Sequence, residues 1–340
     1  MVTAESHLVL KMKIMIVANA LSGGGAESSM RLINHHLRLS GADSILLCLN
    51  KTPEDVTSVG ELELDRKWKS GIFQTFSNYV DFCRCLKDAK PDVIVVNCEL
   101  PELYAALMPG KVKKMICVEH TSNPWAGRRI LGYIVRSILR MRNSRWVTVS
   151  RNQKSIWPIG IRATYIPNPV EIPKLATSRV APPDFVYVGR LRREKGVKSI
   201  LAAVSDEGKR IDIFGSGDLE EALVAQYSQT AQFHGFVEEP WKNISPEQVL
   251  IVASEYEGDG KVIVEGILAR VPILLLDNTD LRRFELPDRN YFTDHDDLRR
   301  KMNNCLSNKE DFRPDNQKSL TLKAERDVTS VVDSWRKILI

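Results

Sequence analysis

Short runs rich in β-branched residues alternate with longer amphipathic stretches along most of this chain of 340 residues. In the first half, the strand-like runs lie at 13–19, 44–49, 93–97, 115–118 and 146–149. Stretches between them, such as 26–39 and 75–88, have helical periodicity. Strands that alternate with helices form βαβ units, so the pattern predicts an α/β fold with a doubly wound parallel sheet.

A proline-rich segment divides the chain, because residues 164–183 contain five prolines. Neither a helix nor a central strand continues through proline at that density, so this segment predicts a linker. The alternation then resumes, with strand-like runs at 185–188, 211–214, 249–252 and 273–276. A second doubly wound sheet is therefore expected, followed by an amphipathic helix over 317–338.

These boundaries predict two domains that face each other across a cleft. The expected segments are a tail at 1–12, a first domain at 13–170, a linker at 171–184, a second domain at 185–318 and a helix at 319–340. Ligands of such sheets bind at the carboxyl ends of the strands, so the cleft is the expected site.

Composition and charge narrow the class of protein. Hydrophobic residues make up 43% and charged residues 27%, which is typical of a soluble globular chain. No stretch approaches the roughly 18 apolar residues of a membrane-spanning helix.

None of the six cysteines forms a CxxC pair, which indicates free thiols in a reducing cytoplasm. Residues 1–170 carry 23 basic against 14 acidic side chains, and the remainder 25 against 29, which suggests different partners for the two domains.

Three consecutive glycines, Gly23, Gly24 and Gly25, follow the first strand-like run. Glycines let backbone N–H groups turn toward a ligand, and the start of a helix favours an anion. The GxGxxG pattern of dinucleotide enzymes is missing, so the segment is either a ligand loop or a tight strand–helix turn. His120 stands just past the run 115–118 and is either structural or in contact with substrate.

A basic segment at 127–146 contains six arginines and no acidic residue. Apolar side chains recur in it at helical spacing, at Ile130, Tyr133, Ile134, Ile138 and Met141. The pattern predicts an amphipathic helix whose arginines, including Arg136, Arg140 and Arg142, either dock on anionic lipid head groups or are solvated. Nucleic acid is disfavoured, because no aromatic residues are interleaved as in a single-strand platform.

Two cations and two carboxylates stand in the second half. Arg190 and Lys195 follow the run 185–188. Preorganised cations in this loop would neutralise a diphosphate leaving group. The alternative is a plain exposed basic loop. Glu257 and Glu265 lie eight residues apart, and the second is surrounded in sequence by apolar residues. Carboxylates there would accept hydrogen bonds from sugar hydroxyls, although Glu257 also fits a plain surface glutamate.

The order of these motifs resembles that of family 4 retaining glycosyltransferases. Its parts are a strand followed by GGAE, a histidine after a strand in the middle of the first domain, GRL…KG, GxG after a strand, and a Glu-x7-Glu segment. The resemblance covers nearly the whole chain, from Lys13 to the final helix. It implies two Rossmann-like domains of the glycosyltransferase B type, with the last helix crossing back to the first, acceptor-binding domain.

The resemblance also implies roles for individual residues. The Gly23–Gly25 loop would lie near the acceptor and the donor phosphate, and His120 would contact the transferred sugar. Arg190 and Lys195 would bind the diphosphate, and Glu257 would hold sugar hydroxyls. The other donor-binding positions would be Gly189, Gly215, Gly217, Phe236, Val237, Asp259, Gly260, Lys261 and Glu265, the last for the ribose hydroxyls.

Family 4 chemistry implies transfer with retention, without a metal or cofactor, from a nucleotide-diphosphate sugar, with a UDP-sugar as the expected donor. The departing diphosphate would take the acceptor's proton. Asp294-His295-Asp296 forms a D-x-D string outside the motif set, and we attribute it to chance. This sequence departs from the family at Asp259, where an aromatic residue is usual, and at Gly266, where alanine is usual.

The expected acceptor is a lipid-linked glycan or a polysaccharide, modified at the cytoplasmic membrane face in cell-surface glycan biosynthesis. Segment 127–146 would supply peripheral contact with the inner membrane. Two alternatives stay open: a sugar-nucleotide epimerase on a similar fold, and a non-catalytic sugar-nucleotide-binding partner of another transferase.

Overall fold

The computed structural model describes residues 12–21, 24–51, 57–66, 71–121, 123–151, 153, 155–177 and 181–340. The chain divides into two compact units. One comprises the chain up to Pro169 together with Arg326–Ile340, and the other comprises Val170–Glu325. The predicted tail, except Met12, and Gly23 lie outside the described residues.

A seven-stranded parallel sheet forms the centre of the first unit, in the order β3-β2-β1-β4-β5-β6-β9. Its strands are β1 (Lys13–Ala18), β2 (Asp43–Asn50), β3 (Glu61–Arg66), β4 (Val93–Asn97), β5 (Lys114–Glu119), β6 (Arg145–Thr148) and β9 (Thr164–Tyr165). Between β6 and β9, β7 (Ser155–Ile156) and β8 (Ile161–Arg162) form a small antiparallel pair.

Helices cover both faces of this sheet, as its continuous apolar strands require. The connecting helices are α1 (Gly25–Leu39), α2 (Ile72–Ala89), α3 (Glu99–Leu107) and α4 (Arg129–Met141). Successive residues of β1 alternate between the two cores, with Ile14 in the core that contains α1 and Met15 in the core that contains α2, α3 and α4.

The second unit contains a six-stranded parallel sheet in the order β12-β11-β10-β13-β14-β15. Its strands are β10 (Phe185–Val188), β11 (Ile211–Phe214), β12 (Ala231–Phe233), β13 (Val249–Val252), β14 (Ile273–Leu276) and β15 (Tyr291–Phe292). Its helices are α5 (Val197–Asp206), α6 (Glu220–Tyr227), α7 (Lys261–Ala269), α8 (Thr279–Arg282), α9 (His295–Ser307) and α10 (Asn316–Arg326). The predicted α/β class with two parallel sheets is confirmed.

The end of the chain differs from the single helix that its periodicity predicts. α10 ends at Arg326, and a separate helix, α11 (Val328–Leu339), begins after Asp327. The break arises because the Asp327 carboxylate caps the second helix, accepting a hydrogen bond from the Ser330 amide at 3.0 Å. α11 buries Trp335 in the core that also contains α1, so the chain returns to the first unit.

Several short or polar strands have no clear sequence signal. β3 alternates acidic with apolar residues, and within it only Leu64 is buried. β9 and β15 have two residues each and β12 has three, too few for a period of two to be recognised. Among the described residues, no helix is both long enough and apolar enough to span a bilayer.

Candidate functional site

The loops at the carboxyl edge of the second sheet interlock backbone to backbone. The Gly189 amide donates to the Phe214 carbonyl at 2.9 Å, and the Gly215 amide donates to the Gly235 carbonyl at 2.7 Å. The Glu255 amide donates to the Glu194 carbonyl at 2.9 Å. The loops that follow β10, β11, β12 and β13 are therefore held as one rigid edge.

Glycines make this close approach feasible. A Cβ on Gly215 would lie 2.0 Å from the Gly189 carbonyl oxygen, and one on Gly217 would lie 2.5 Å from the Leu191 carbonyl oxygen. Gly196, at φ +64°, stands against Ala253, whose carbonyl oxygen would be 2.3 Å from an added Cβ. No side chain fits at these positions, so backbone amides line this edge of the sheet.

A cation and a carboxylate meet at the same edge. The Lys195 ammonium lies 2.5 Å from Glu257 Oε1, and the Ser254 hydroxyl donates to the same oxygen at 2.8 Å. Both members of the pair are mostly buried, with 18% and 13% of their side chains exposed. Arg190 is exposed, and its carbonyl accepts a hydrogen bond from the Tyr187 hydroxyl at 2.8 Å. The sequence-predicted residues Lys195 and Glu257 are therefore brought together.

Residues at the start of α8, within it and directly after it clamp the loop that carries Glu257. Asp280 accepts a hydrogen bond from the Glu257 amide at 2.9 Å, and Arg283 donates to the Glu257 carbonyl at 3.1 Å. The Asn278 side chain donates to the Ser254 carbonyl at 2.8 Å. Sequence analysis missed these three residues. The sequence feature that could have indicated them is a polar stretch directly after a buried strand.

Glu265 lies one turn into α7, with its carboxylate already engaged. Trp241 Nε1 donates to Glu265 Oε2 at 2.9 Å, and the Lys261 ammonium lies 3.8 Å from Oε1. Burial raises the pKa of the Glu265 carboxyl, against the lowering effect of Lys261. Asp259, which departs from the expected pattern, is buried and adds a further negative charge nearby.

Further predicted positions of the second unit lie in the loops at the carboxyl edge of its sheet or at the start of α7. Gly260 has a φ of +69° immediately before α7, with Phe284 filling the space a side chain would need. Phe236 is exposed, whereas Val237 packs against one of the two cores. The amide of Gly215 reaches the carbonyl of Gly235, directly before Phe236.

In the first unit, Gly24, Gly25 and His120 lie at the carboxyl edge of the parallel sheet. Gly24 is the N-cap residue of α1, and no side chain caps the helix there. His120 directly follows β5, and neither ring nitrogen has solvent exposure or a hydrogen-bond partner among the described residues. Burial lowers the pKa of His120 from 6.5 to about 3, so its imidazole is neutral at physiological pH.

Comparison with known protein families finds a match within the second unit. Residues 171–318 match the family model "Glycosyl transferases group 1". The second unit is therefore similar to glycosyl transferases group 1 over most of its length. No curated protein sequence matches the chain significantly.

Solved structures that are similar to nearly the whole chain show its fold. Sucrose-phosphate synthase from Thermosynechococcus elongatus is 16% identical, with a TM-score of 0.79 over 97% of this chain and 98% of that one. HepE of Anabaena, in complex with UDP and glucose, is 15% identical, with a TM-score of 0.77 over 96% and 99%. WaaG, a glycosyltransferase involved in lipopolysaccharide biosynthesis, is 13% identical, with a TM-score of 0.65 over 96% and 99%. The chain therefore has the glycosyltransferase B fold.

The D-x-D string of the second unit, Asp294-His295-Asp296, has a structural role. The Asp294 carboxylate caps α9 by accepting a hydrogen bond from the Asp297 amide at 2.9 Å. His295 contacts Asp206 at 2.9 Å, and Asp296 lies 3.9 Å from Arg299 on the same helix. Helix capping and surface ion pairs account for all three residues.

The prediction that the arginines of α4 are solvated or dock on lipid head groups is wrong for Arg136. Only 1% of the Arg136 side chain is exposed, and it pairs with Glu102 and Glu119. Arg140 donates to the Ile159 carbonyl, and Arg142 donates to carbonyls at the end of α3, including that of Met108 at 2.6 Å. The outcome differs because a long guanidinium side chain reaches backbone carbonyls that periodicity does not reveal.

The apolar face of α4 is exposed instead. Four of its large side chains are between 38% and 81% exposed: Ile130, Leu131, Tyr133 and Ile134. Met141, at the other end of the helix, is 86% exposed. The buried face consists of Gly132, Val135, Arg136 and Leu139.

The crowding at Gly196 predicts a difference between two glycine substitutions. Gly208 has almost the same backbone, at φ +60°, but nothing lies within 4 Å of an added Cβ. Gly208→Ala should cost about 1 kcal/mol of backbone strain. Gly196→Ala should lower the free energy of unfolding by about 1–3 kcal/mol more, because it adds the clash with Ala253. Urea unfolding measures both, and equal losses would contradict the packing at this edge.

Shielding of His120 predicts a pH-dependent term in stability. The unfolded chain protonates this imidazole near pH 6.5, whereas the folded chain resists protonation down to about pH 3. The stabilisation that comes from keeping the imidazole neutral is therefore fully present above pH 6.5. It is lost progressively as the pH falls from 6.5 toward 3. Between pH 7.5 and 5.5, wild type should lose about 1 kcal/mol more of unfolding free energy than His120→Asn. Urea titrations at both pH values test this. If wild type and His120→Asn lose the same unfolding free energy between the two pH values, the imidazole is solvated in the folded protein.

Proposed function

We propose that the chain is a retaining glycosyltransferase that moves a sugar from a nucleoside diphosphate sugar, with a UDP-sugar as the donor. The observation that carries the proposal is the Lys195–Glu257 pair at an edge lined by glycine amides. An ammonium group beside a carboxylate suits a ligand that carries phosphate next to hydroxyl groups. The match of residues 171–318 to glycosyl transferases group 1 supports it.

The second unit binds the donor in this proposal. Arg190 and Lys195 neutralise the diphosphate, while Glu257 accepts hydrogen bonds from hydroxyls of the transferred sugar. Amides near Asp259 and Gly260, at the start of α7, add donors. Glu265 accepts the ribose hydroxyls. Trp241 orients its carboxylate and leaves Oε1, the oxygen on the Lys261 side, as the acceptor.

Lys195 and Glu257 exchange partners when the donor binds. In the free protein each satisfies the charge of the other at 2.5 Å. The diphosphate then replaces Glu257 beside Lys195, and sugar hydroxyls replace Lys195 beside Glu257. The departing diphosphate takes the proton of the acceptor hydroxyl. The ring nitrogens of His120 are covered in the free protein and find no partner among the described protein groups. In this proposal the neutral imidazole turns toward the bound substrate and hydrogen-bonds one of its hydroxyls.

A lipid-linked acceptor at the cytoplasmic membrane face fits the first unit. α2 and α4 each follow a strand of the parallel sheet, so both helices begin at the edge that carries His120. Phe73 and Phe76, in the first turns of α2, are 93% and 67% exposed. Large exposed apolar side chains at one edge are unusual for a soluble surface and typical of an interfacial one.

The basic side chains near this edge favour an anionic membrane as its partner. Arg128 and Arg129 are exposed at the start of α4, directly before the exposed Ile130. Guanidinium groups beside apolar side chains match anionic head groups above acyl chains. Arg128 also pairs with Glu99 at 2.7 Å, and Arg129 donates to Asn123 at 3.2 Å, but both side chains stay exposed. This placement replaces the predicted contact through Arg136, Arg140 and Arg142, whose side chains point into the first unit.

Substitutions at Lys195 and Glu257 should separate diphosphate binding from sugar binding. Lys195→Ala should weaken UDP binding and lower transfer by about 100-fold, because it removes a preorganised cation. Glu257→Gln should leave UDP affinity equal or higher, since Lys195 loses a competing partner, yet lower transfer from the UDP-sugar at least tenfold. Calorimetry with UDP and a radiolabelled-sugar transfer assay measure the two effects.

Arg193→Ala is the matched control for Lys195→Ala, because Arg193 is an exposed cation in the same short 3-10 helix. It should change neither quantity by more than about twofold. UDP binding without transfer to any lipid or glycan acceptor would contradict the enzymatic proposal. Release of an epimerised sugar would favour the epimerase instead.

Replacement of apolar side chains on α4 should abolish membrane binding. The double variant Ile130→Ser/Ile134→Ser should lower partitioning onto phosphatidylglycerol-containing vesicles about 100-fold, because each isoleucine contributes about 1.5 kcal/mol or more when buried. Leu320→Ser, at an equally exposed leucine of α10, should have no effect. Vesicle sedimentation measures the partitioning. Wild type that stays in the supernatant would exclude this docking surface.

A further inference from the structure

A buried ion cluster joins α3, β5 and α4 inside the first unit. Arg136 Nη2 lies 2.9 Å from Glu102 Oε1 and 2.7 Å from Glu119 Oε2, and each of these side chains is at most 4% exposed. Arg136 Nη1 also donates to the Trp157 carbonyl at 2.7 Å, and Trp125 Nε1 donates to Glu102 at 2.9 Å. Burial raises the pKa of both carboxyls, against the lowering effect of the guanidinium.

Stability alone is a weak explanation for such a cluster. Moving three charged groups out of water costs free energy that their mutual attraction only partly offsets. Apolar side chains of similar size would fill the same space at equal or greater stability. The arrangement therefore calls for a role that apolar packing cannot supply, which is to hold a polar group in one orientation.

Glu119 is the member of the cluster that reaches the substrate edge. It is the last residue of β5, and His120 follows it directly. Its Oε2 atom binds Arg136, and its Oε1 atom accepts the Thr121 amide at 3.3 Å. The carboxylate therefore closes a short turn around His120, and Arg136 sets where that carboxylate lies.

We propose that Arg136 is a positioning residue, which holds Glu119 so that the turn from Glu119 to Thr121 keeps the imidazole of His120 in one place at the edge where substrate is proposed to bind. The proposal rests on the proposed sugar transfer for its effect on catalysis. The second contact of Arg136, with Glu102, anchors the guanidinium on α3 and makes no link to the turn.

Glu119→Gln tests the proposal, with Glu102→Gln as the matched control. A glutamine at 119 has one carbonyl and one amino group, so either Arg136 or the Thr121 amide faces a donor and the turn loses a contact. Glutamine at 102 creates the same conflict with Arg136 and Trp125, but leaves Thr121 untouched. Glu119→Gln should lower kcat about tenfold or more, with the donor KM within about twofold, because small misplacements of a reacting group are costly. Glu102→Gln should leave kcat within about twofold of wild type.

A second measurement reports on His120 without catalysis. Carbethoxylation by diethyl pyrocarbonate, located by mass spectrometry, should be slow at His120 in wild type and in Glu102→Gln, because both ring nitrogens are shielded. It should be at least about tenfold faster in Glu119→Gln, where the turn is released. Arg136→Lys offers a second route if Glu119→Gln does not fold, since it keeps the positive charge but loses the planar bridge.

The outcomes separate this inference from the proposed function. Absence of sugar transfer in wild type would overturn the proposed function, and His120 reactivity alone would then decide the inference. Equal kcat losses in Glu119→Gln and Glu102→Gln, with equal reactivity of His120, would overturn the positioning role and leave a purely structural cluster.

Discussion

Close backbone packing at the carboxyl edge of the second sheet is the constraint on which the candidate site depends. A Cβ at Gly215 would overlap the Gly189 carbonyl at 2.0 Å, and one at Gly196 would overlap Ala253 at 2.3 Å. Because these positions lack side chains, the loops after β10, β11 and β13 lock together. That packing brings Lys195, from one loop, to Glu257 on another, 62 residues further along the chain.

The Lys195–Glu257 pair and the Arg136 cluster are suited to different tasks. The Lys195–Glu257 pair is mostly buried but keeps 18% and 13% of its side chains exposed, so a ligand that satisfies both groups can reach and separate it. The Arg136 cluster is fully enclosed, and removal of any partner would leave an uncompensated buried charge. An exchangeable pair suits substrate binding, whereas an enclosed cluster suits permanent positioning.

Much of the fold was predictable from the sequence, and the failures have physical causes. The nine long apolar strands were recognisable because both faces of a parallel sheet are buried. The break at Asp327 was missed, because a capping carboxylate interrupts a helix without changing its apolar period. On α4 the exposed and buried faces were assigned by polarity alone, which fails where a buried arginine has carboxylate partners.

The sequence alone determined the α/β class, the two sheets, the order of the motifs and the presence of Arg190, Lys195, Glu257 and Glu265 after strands. Local periodicity and glycine positions carry that information, because they depend on neighbours in the chain. Only the tertiary structure decided that Lys195 pairs with Glu257, that Trp241 engages Glu265 and that Arg136 is buried against Glu119. Those contacts join residues 17 to 62 positions apart, and sheet order and loop packing set them.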